Sequence, residues 1–219
     1  MTDSYWADIT KAFLNLYPEK DLELIEQVLP HFGKKGTIFG TFNTKAFSVL
    51  TELAKRHPGQ VWKCVSKRLE ERDFFLEKWL KKGDARDSFS TEEEKGALTF
   101  IPRERIWEWI DEDVENRAWY FAYRLTPKTF SLEEWPNSLA RAFLIHYGGR
   151  EDVRNNLYAN YATESWTGER SLYLEKKKEK LLCLKDSEDD VNVKRWLDEY
   201  IGGVEEDIEH ARIDEEREF

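Results

Sequence analysis

The chain has 219 residues, a formal net charge of −10, a hydrophobic fraction of 40% and a charged fraction of 36%. This apolar content is ample for a folded core and excludes disorder over the bulk of the chain. The acidic balance argues against a general affinity for nucleic acid or anionic membranes, since both require an excess of Lys and Arg. With only six prolines and eleven glycines, the composition favours an all-α fold.

The sequence also bears on the compartment. No apolar run approaches the length of a membrane span, and the N-terminus lacks a basic segment followed by an apolar one. Cys64 and Cys183 are too few for a disulfide framework, and neither belongs to a CxxC pair. These features predict a soluble, cytoplasmic protein with no membrane partner, in which both cysteines are buried thiols.

Two helices are predicted at the start of the chain. The first spans residues 4–16 and is closed by Pro18, with an apolar face of Tyr5, Ile9, Phe13 and Leu16. Asp21 is predicted to cap the second, which ends at Gly33 and has an apolar stripe of Leu22, Ile25, Val28 and Leu29. Residues 34–43 fit a loop with apolar anchors better than a short strand pair.

A further helix pair is predicted before residue 83. Residues 44–56 form its first helix, with Phe47, Leu50, Leu53 and Ala54 facing inward, and His57-Pro58-Gly59 forms a turn. A long helix over residues 60–82 follows, with an inward face of Val61, Val65, Leu69, Phe75 and Leu80. Residues 83–96 are polar and predict an exposed loop. We expect one helical-repeat domain over residues 1–219, with any weak boundary in this loop.

The middle of the chain predicts two more helical elements. Pro102 fits the first turn of a helix that carries Ile106, Trp107, Ile110 and Val114, with a break at Asn116 or Arg117. Helix resumes at Trp119 and stops at Thr126-Pro127. Another element begins near Glu133 and runs to the Gly148-Gly149 turn, with Leu139, Phe143 and Ile145 inward.

The last third predicts three helices. Val153, Leu157 and Tyr161 align on the first, and Trp166-Thr167-Gly168 forms the turn after it. Residues 171–185 form the second, with leucines inward and an outer face of Lys176, Lys177, Lys178 and Lys180. An acidic connector over residues 186–190 leads to the final helix, whose inward positions are Val193, Trp196, Leu197, Tyr200, Ile201, Val204 and Ile208.

A faint repeat runs through these helices. Apolar residues four positions apart follow a punctuation residue in four places: Val61/Val65, Ile106/Ile110, Val153/Leu157 and Val193/Leu197. The first members are 45, 47 and 40 residues apart, a spacing typical of the antiparallel helix pairs of HEAT and armadillo repeats. Such pairs stack into a solenoid, and solenoid surfaces usually hold another macromolecule.

Residues 139–219 resemble a known kind of repeat region. The matching features are Arg150-Glu151-Asp152-Val153-Arg154, Trp166-Thr167-Gly168-Glu169, Val193-Lys194-Arg195-Trp196 and the acidic end at residues 214–219. They are similar to the C-terminal HEAT-like helical repeats of large bacterial signalling and defence proteins of the NACHT type. The resemblance implies a sensor or scaffold module, with any enzymatic domain elsewhere; the chain has no GxxxxGK[ST] loop.

Tryptophans and arginines in the middle repeats are the candidate partner-binding residues. Trp107 and Trp109 are two positions apart on one helix, so both cannot face the same core. A partly exposed Trp near arginines has the composition of a protein-binding hot spot, although packing between repeats also explains these tryptophans. The candidate set is Arg103, Arg105, Trp107, Trp109, Arg117 and Trp119.

The main function hypothesis is therefore a non-catalytic module that binds another protein, with no catalytic residue, metal or small-molecule cofactor. One alternative is a metal-dependent hydrolase on the acidic helix of residues 102–115, where Glu104, Glu108, Asp111 and Glu115 share a face. A solvated acidic face explains the same pattern, and the histidines are scattered. A second alternative is a nucleic-acid binder that uses the lysine run of residues 176–180.

Overall fold

The regular elements of the chain are helical throughout the residues that can be placed. The computed structural model describes residue 10 and residues 12–29, 44–71, 74–81, 96–128, 130–163 and 166–217. Residues 12–16 are helical, and ten further α-helices have defined bounds: α1 Asp21–Val28, α2 Thr44–Arg56, α3 Pro58–Leu69, α4 Phe74–Lys81, α5 Arg103–Asp111, α6 Val114–Tyr120, α7 Leu139–Tyr147, α8 Glu151–Ala162, α9 Arg170–Asp186 and α10 Val191–Arg217. The predicted all-α class is confirmed for this part of the chain. Among these helices, none has the length and apolar content needed to cross a membrane.

The chain divides into two compact units, Met1–Arg117 and Ala118–Phe219, called unit 1 and unit 2 below. The division falls within α6. The polar segment at residues 83–96, where a boundary was expected, lies outside the described residues except for Gly96, as do residues 34–43. A single repeat domain over residues 1–219 stays a prediction.

Helices α2 and α3 form the core of unit 1. Helix α2 has the predicted bounds, and the predicted inward residues Leu50, Leu53 and Ala54 are buried. The side chains of Phe47 and Phe75 are outside those described. Helix α3 packs against α2 and begins at Pro58, whose fixed φ and missing N–H suit the first turn of a helix. Its buried face contains the predicted Val61, Val65 and Leu69.

The predicted long helix at residues 60–82 is wrong, because the chain forms two helices there. Helix α3 ends at Leu69, a turn follows at Glu70 and Glu71, and α4 begins at Phe74. The run Glu70-Glu71-Arg72-Asp73 supplies no apolar side chain to the core, so burial does not hold this stretch in a continuous helix. Leu80 of α4 is buried as predicted.

The inward face of the first helical segment was also assigned wrongly. Phe13 and Leu16 are exposed, whereas Leu14 is fully buried and Thr10 is nearly so. Thr10 and Leu14 are four positions apart, so they form the buried line of this segment. Tyr5 and Ile9 lie outside the described residues, and the segment does end before Pro18, as predicted.

Asp21 does not cap α1. It is the first residue of the helix, and its side chain is buried. Its Oδ2 accepts a hydrogen bond from Arg56 Nη1 at 3.2 Å and lies 3.1 Å from His57 Nε2. A buried carboxylate needs such partners, and they tie α1 to the end of α2. Leu22, predicted to face inward, is exposed, while Ile25 and Leu29 are buried as expected.

The break in the middle of the chain comes earlier than predicted. Helix α5 ends at Asp111 and α6 begins at Val114, so Asn116 and Arg117 lie inside a helix. The N–H of Glu112 reaches the carbonyls of both Glu108 and Ile110, which is the tightening typical of a helix end. Helix α6 continues into a π-helical turn, Phe121–Leu125, and stops at Thr126 as predicted.

Stacked aromatic rings form the core of unit 2. The ring of Trp196 is nearly parallel to those of Trp135 and Tyr200, with centroids 6.1 Å and 5.1 Å away. Phe130 stacks on Tyr200 at 5.8 Å, and Tyr161 meets Trp196 edge-on at 5.3 Å. These offset and edge-on arrangements are the favourable geometries for aromatic pairs. The inward positions predicted for α8 and α10 are all buried.

Helices α9 and α10 lie antiparallel and are joined by charged pairs. As position rises along α9, its partner on α10 falls: Ser171 contacts Glu215, Glu175 contacts Arg212, Lys178 contacts Glu205, and Lys185 contacts Asp198. The predicted basic outer face is therefore partly wrong. Lys178 pairs with the acidic α10, and Lys177 is buried.

The two cysteines are less buried than predicted. Cys64 is half-buried, and partial burial raises the pKa of its thiol despite the nearby Arg68 and Lys67. Cys183 is exposed, because the buried face of α9 runs through Leu174, Lys177, Leu181 and Leu184, and position 183 points away from it. The prediction of a buried thiol is wrong for Cys183.

Candidate functional site

Trp109, one of the predicted partner-binding residues, belongs to the core of unit 1. Only 6% of its surface is exposed, and its ring meets Trp62 edge-on with centroids 5.7 Å apart. The guanidinium of Arg117 lies 4.9 Å from the Trp109 ring centroid. Trp109 is therefore not placed to insert into a partner, and its substitution is expected to lower the stability of unit 1.

Arg117 is held in place by its own unit. Its guanidinium pairs with Glu70 at 2.8 Å and Glu112 at 2.7 Å, and it donates to the carbonyl of Trp109. The arginine therefore joins the end of α3 to the turn after α5. This arrangement explains the two residues through structure, as the packing alternative expected.

The other predicted residues lie nearer to solvent. Arg105 is exposed and pairs with Glu108, while Arg103 and Trp107 are half-exposed on the same helix, α5. Trp119 is half-exposed in unit 2. The structure thus brings Trp109 and Arg117 together and leaves Arg103, Arg105 and Trp107 as a surface of α5.

The acidic residues of this region do not converge. Glu104, Glu108, Asp111 and Glu115 are all exposed, and the helix break places Glu115 on α6 rather than α5. Within the part of the chain that the structure describes, no group of three or more His, Cys, Asp or Glu side chains is placed to hold a metal ion.

A cleft in unit 2 has the strongest features of a binding site. It encloses about 370 Å³, partly open to solvent, between α8, α9 and α10. Aromatic and charged side chains line it, and we call it the aromatic cleft: Tyr158, Ala162, Trp166, Arg170, Tyr173, Leu174, Lys177, Tyr200, Val204 and Asp207. Rings together with a few convergent polar groups are typical of ligand sites.

Trp166 stands at the edge of the aromatic cleft with 45% of its surface exposed. Its ring stacks on Tyr173 with centroids 6.4 Å apart, and the guanidinium of Arg170 lies 5.0 Å from its ring centroid. Gly168, with φ of +87°, makes the turn that leads from Trp166 into α9, a backbone conformation that L side chains rarely adopt. An exposed indole is thus oriented by two neighbours before any partner arrives.

Cations occupy ring faces deeper in the aromatic cleft. The ammonium of Lys177 lies 4.9 Å from the ring centroid of Tyr200 and 5.2 Å from that of Phe130, which compensates for its burial. Burial raises the pKa of the Tyr158 hydroxyl, and the nearby Asp207 and Glu206 raise it further. Tyr158 therefore remains a neutral hydrogen-bonding group at physiological pH.

Two adjacent glycines on α10 give a matched test of how the aromatic cleft is shaped. A Cβ added at Gly203 would lie 2.2 Å from the Tyr158 hydroxyl oxygen, whereas one added at Gly202 would meet nothing within 4 Å. We expect Gly202→Ala to raise the free energy of unfolding by about 0.5–1 kcal/mol through helix propensity. Gly203→Ala should fall below Gly202→Ala by about 1–2 kcal/mol, because Tyr158 must move. Urea unfolding of both variants measures this difference, and equal stabilisation would show that Tyr158 does not rest on Gly203.

Sequence reasoning missed the aromatic cleft because its residues come from three helices. Trp166 was recognised only as part of a turn, and Lys177 only as part of a basic face. The one local signal was Trp166, Arg170 and Tyr173 at spacings of four and three, the pattern of neighbours around the start of a helix.

Comparison with known proteins adds no assignment. No protein-family model matches the chain, no curated protein matches it, and no solved structure matches it.

Proposed function

We propose that this chain is a non-catalytic helical-repeat module that binds a partner protein, and that the aromatic cleft of unit 2 is its docking site. The observation that carries the proposal is Trp166, which is almost half exposed yet stacked on Tyr173 and covered by Arg170. Trp, Tyr and Arg are the residues most enriched at binding hot spots. Because these three side chains already contact one another, ordering them on binding costs little entropy.

The repeat pattern supports the same class of function. All eight residues of the four repeat pairs are fully buried on helices, from Val61 and Val65 in α3 to Val193 and Leu197 in α10. Helix pairs that bury such positions stack in HEAT-like proteins and present a broad surface to partners. Together with the resemblance of residues 139–219, this favours a sensor or scaffold role in a bacterial signalling or defence pathway.

Capture of partners from lysate of the source cells tests the docking site. We expect the tagged chain to retain one stoichiometric protein, and Trp166→Ala to reduce its recovery at least ten-fold, because hot-spot truncations cost 2 kcal/mol or more. Val191→Ala is the matched control: it also removes an exposed apolar side chain from unit 2, and Val191 does not line the aromatic cleft. It should leave recovery unchanged.

A second variant separates this site from the surface of α5. Trp107→Ala removes the half-exposed tryptophan beside Arg103 and Arg105. If Trp107→Ala abolishes capture while Trp166→Ala does not, the interface lies on unit 1 and the proposal for the aromatic cleft is refuted. Melting temperatures of all three variants show whether a loss of recovery reflects unfolding.

A further inference from the structure

The guanidinium of Arg170 has an unused hydrogen-bonding edge inside the aromatic cleft. Its Nη2 contacts Asp207 Oδ1 at 3.4 Å, which is at the outer limit of a hydrogen bond. Its Nε is buried and has no hydrogen-bond partner among the described residues. A buried N–H of a charged group without an acceptor is costly, so this edge is suited to an acceptor that is not part of the described chain.

Other arginines of unit 2 indicate which acceptor fits that edge. Arg141 donates from Nε and Nη2 to the two carboxylate oxygens of Glu188, at 2.7 Å and 2.8 Å. Arg150 contacts Asp152 through the same two nitrogens, both at 3.1 Å. Nε and Nη2 lie parallel on one side of the guanidinium and match a carboxylate in a bidentate pair. Arg170 presents this same edge with one long contact and one empty position.

The surroundings of Arg170 favour an anion attached to an apolar group. Lys177 contributes a second positive charge to the lining, and Trp166 and Tyr173 offer ring surfaces next to the guanidinium. Asp207 is the one carboxylate among the lining residues, and its contact with Arg170 is long enough to be displaced. A ligand carboxylate would gain two charge-assisted hydrogen bonds where Asp207 makes one weak contact.

We propose that the aromatic cleft recognises an aspartate or glutamate side chain next to an aromatic or large apolar residue in the partner protein. This inference rests on the proposed function and adds the chemistry of the recognised segment. The carboxylate binds Nε and Nη2 of Arg170, and the apolar neighbour packs on Trp166 and Tyr173.

Two small probes test this chemistry without knowledge of the partner. In ¹⁵N-labelled protein, the indole N–H signal of Trp166 is identified by its absence in Trp166→Phe. We expect 3-phenylpropionate to shift this signal in a saturable way, and 3-phenylpropionamide, which has nearly the same shape but no charge, to bind about ten-fold more weakly. Arg170→Gln should remove the difference between the two probes while the remaining indole signals keep their positions.

Each other outcome overturns the inference. Equal binding of acid and amide, or a preference that persists in Arg170→Gln, would show that the carboxylate is not read by Arg170. A stronger response to phenyl phosphate than to the carboxylate would assign the site to phosphate groups, including those of nucleic acid. No shift with any probe, in a protein that still captures a partner through Trp166, would refute the carboxylate and leave the proposed function standing.

Discussion

Replacing Glu188 with glutamine is expected to lower the free energy of unfolding by about 3–5 kcal/mol at neutral pH, the range for breaking a buried ion pair. Glu188 is buried in the connector between α9 and α10 and pairs with Arg141 through both oxygens. It also accepts from the backbone N–H groups of Asp189 and Asp190, both at 3.0 Å. Glutamine keeps the shape but leaves the guanidinium without its counter-charge.

The same carboxylate should make stability depend on acid. Burial raises the pKa of Glu188, but hydrogen bonds from Arg141 and from the backbone at Asp190 and Asp189 outweigh it and lower the pKa from 4.5 to about 2. A depressed folded-state pKa gives stability that is complete above pH 4.5 and is lost as the pH falls toward 2. The shift corresponds to about 3 kcal/mol, which agrees with the cost expected for the substitution.

Asp189→Asn provides the matched control, because it removes a neighbouring carboxylate that is exposed. Urea unfolding between pH 3 and pH 7 should give a steep acid dependence in the wild type and the control, and a shallower one in Glu188→Gln. If all three curves are parallel, the buried ion pair does not supply this stability.

Asn160→Ala is the second large effect, with an expected loss of about 2–4 kcal/mol for two buried hydrogen bonds. The Asn160 side chain donates to the carbonyl of Ala122 at 3.0 Å and to that of Thr126 at 2.9 Å. These carbonyls lie in and just after the π-helical turn at Phe121–Leu125. Without the amide, two buried acceptors lose this donor and the turn loses its link to α8.

Asn155 gives a control for this substitution on the same helix. It is exposed, so Asn155→Ala should be neutral or slightly stabilising through helix propensity. Thermal or urea unfolding of the two variants measures the contrast. Equal stabilities would show that the two side-chain hydrogen bonds contribute nothing to the fold.

Apolar spacing predicted the helices whose burial is continuous. Helices α2, α9 and α10 appear where four-residue spacing and flanking turns placed them, because packing of an apolar stripe is what stabilises a helix in a protein. The errors fall where the stripe is interrupted by charge, as after Leu69, or where two registers compete, as between Phe13 and Leu14.

Buried charges could not be predicted from local sequence. Asp21, Lys177 and Glu188 lie in segments that read as polar and exposed, yet each is buried. Arg56 is 35 residues from Asp21 in sequence, and Arg141 is 47 residues from Glu188. A charge is buried only where such a partner meets it, and that meeting depends on tertiary structure.

The same limit applies to the candidate site. The tryptophans near arginines were assigned to residues 103–119, and in that region the closest Trp–Arg contact, Trp109 with Arg117, is structural. In the aromatic cleft, Tyr158, Arg170 and Asp207 come from three different helices. Composition thus indicated the type of hot spot, while its position depended on how α8, α9 and α10 pack.

Site-specific photo-cross-linking tests the central claim most directly. A benzoyl-phenylalanine at position 166 reports contacts at the aromatic cleft, and the same group at position 182 replaces an exposed leucine of α9 that does not line it. In cells of the source, we expect a single protein adduct from position 166 and none from position 182. Adducts of equal yield from both positions, or from position 182 alone, would contradict the account.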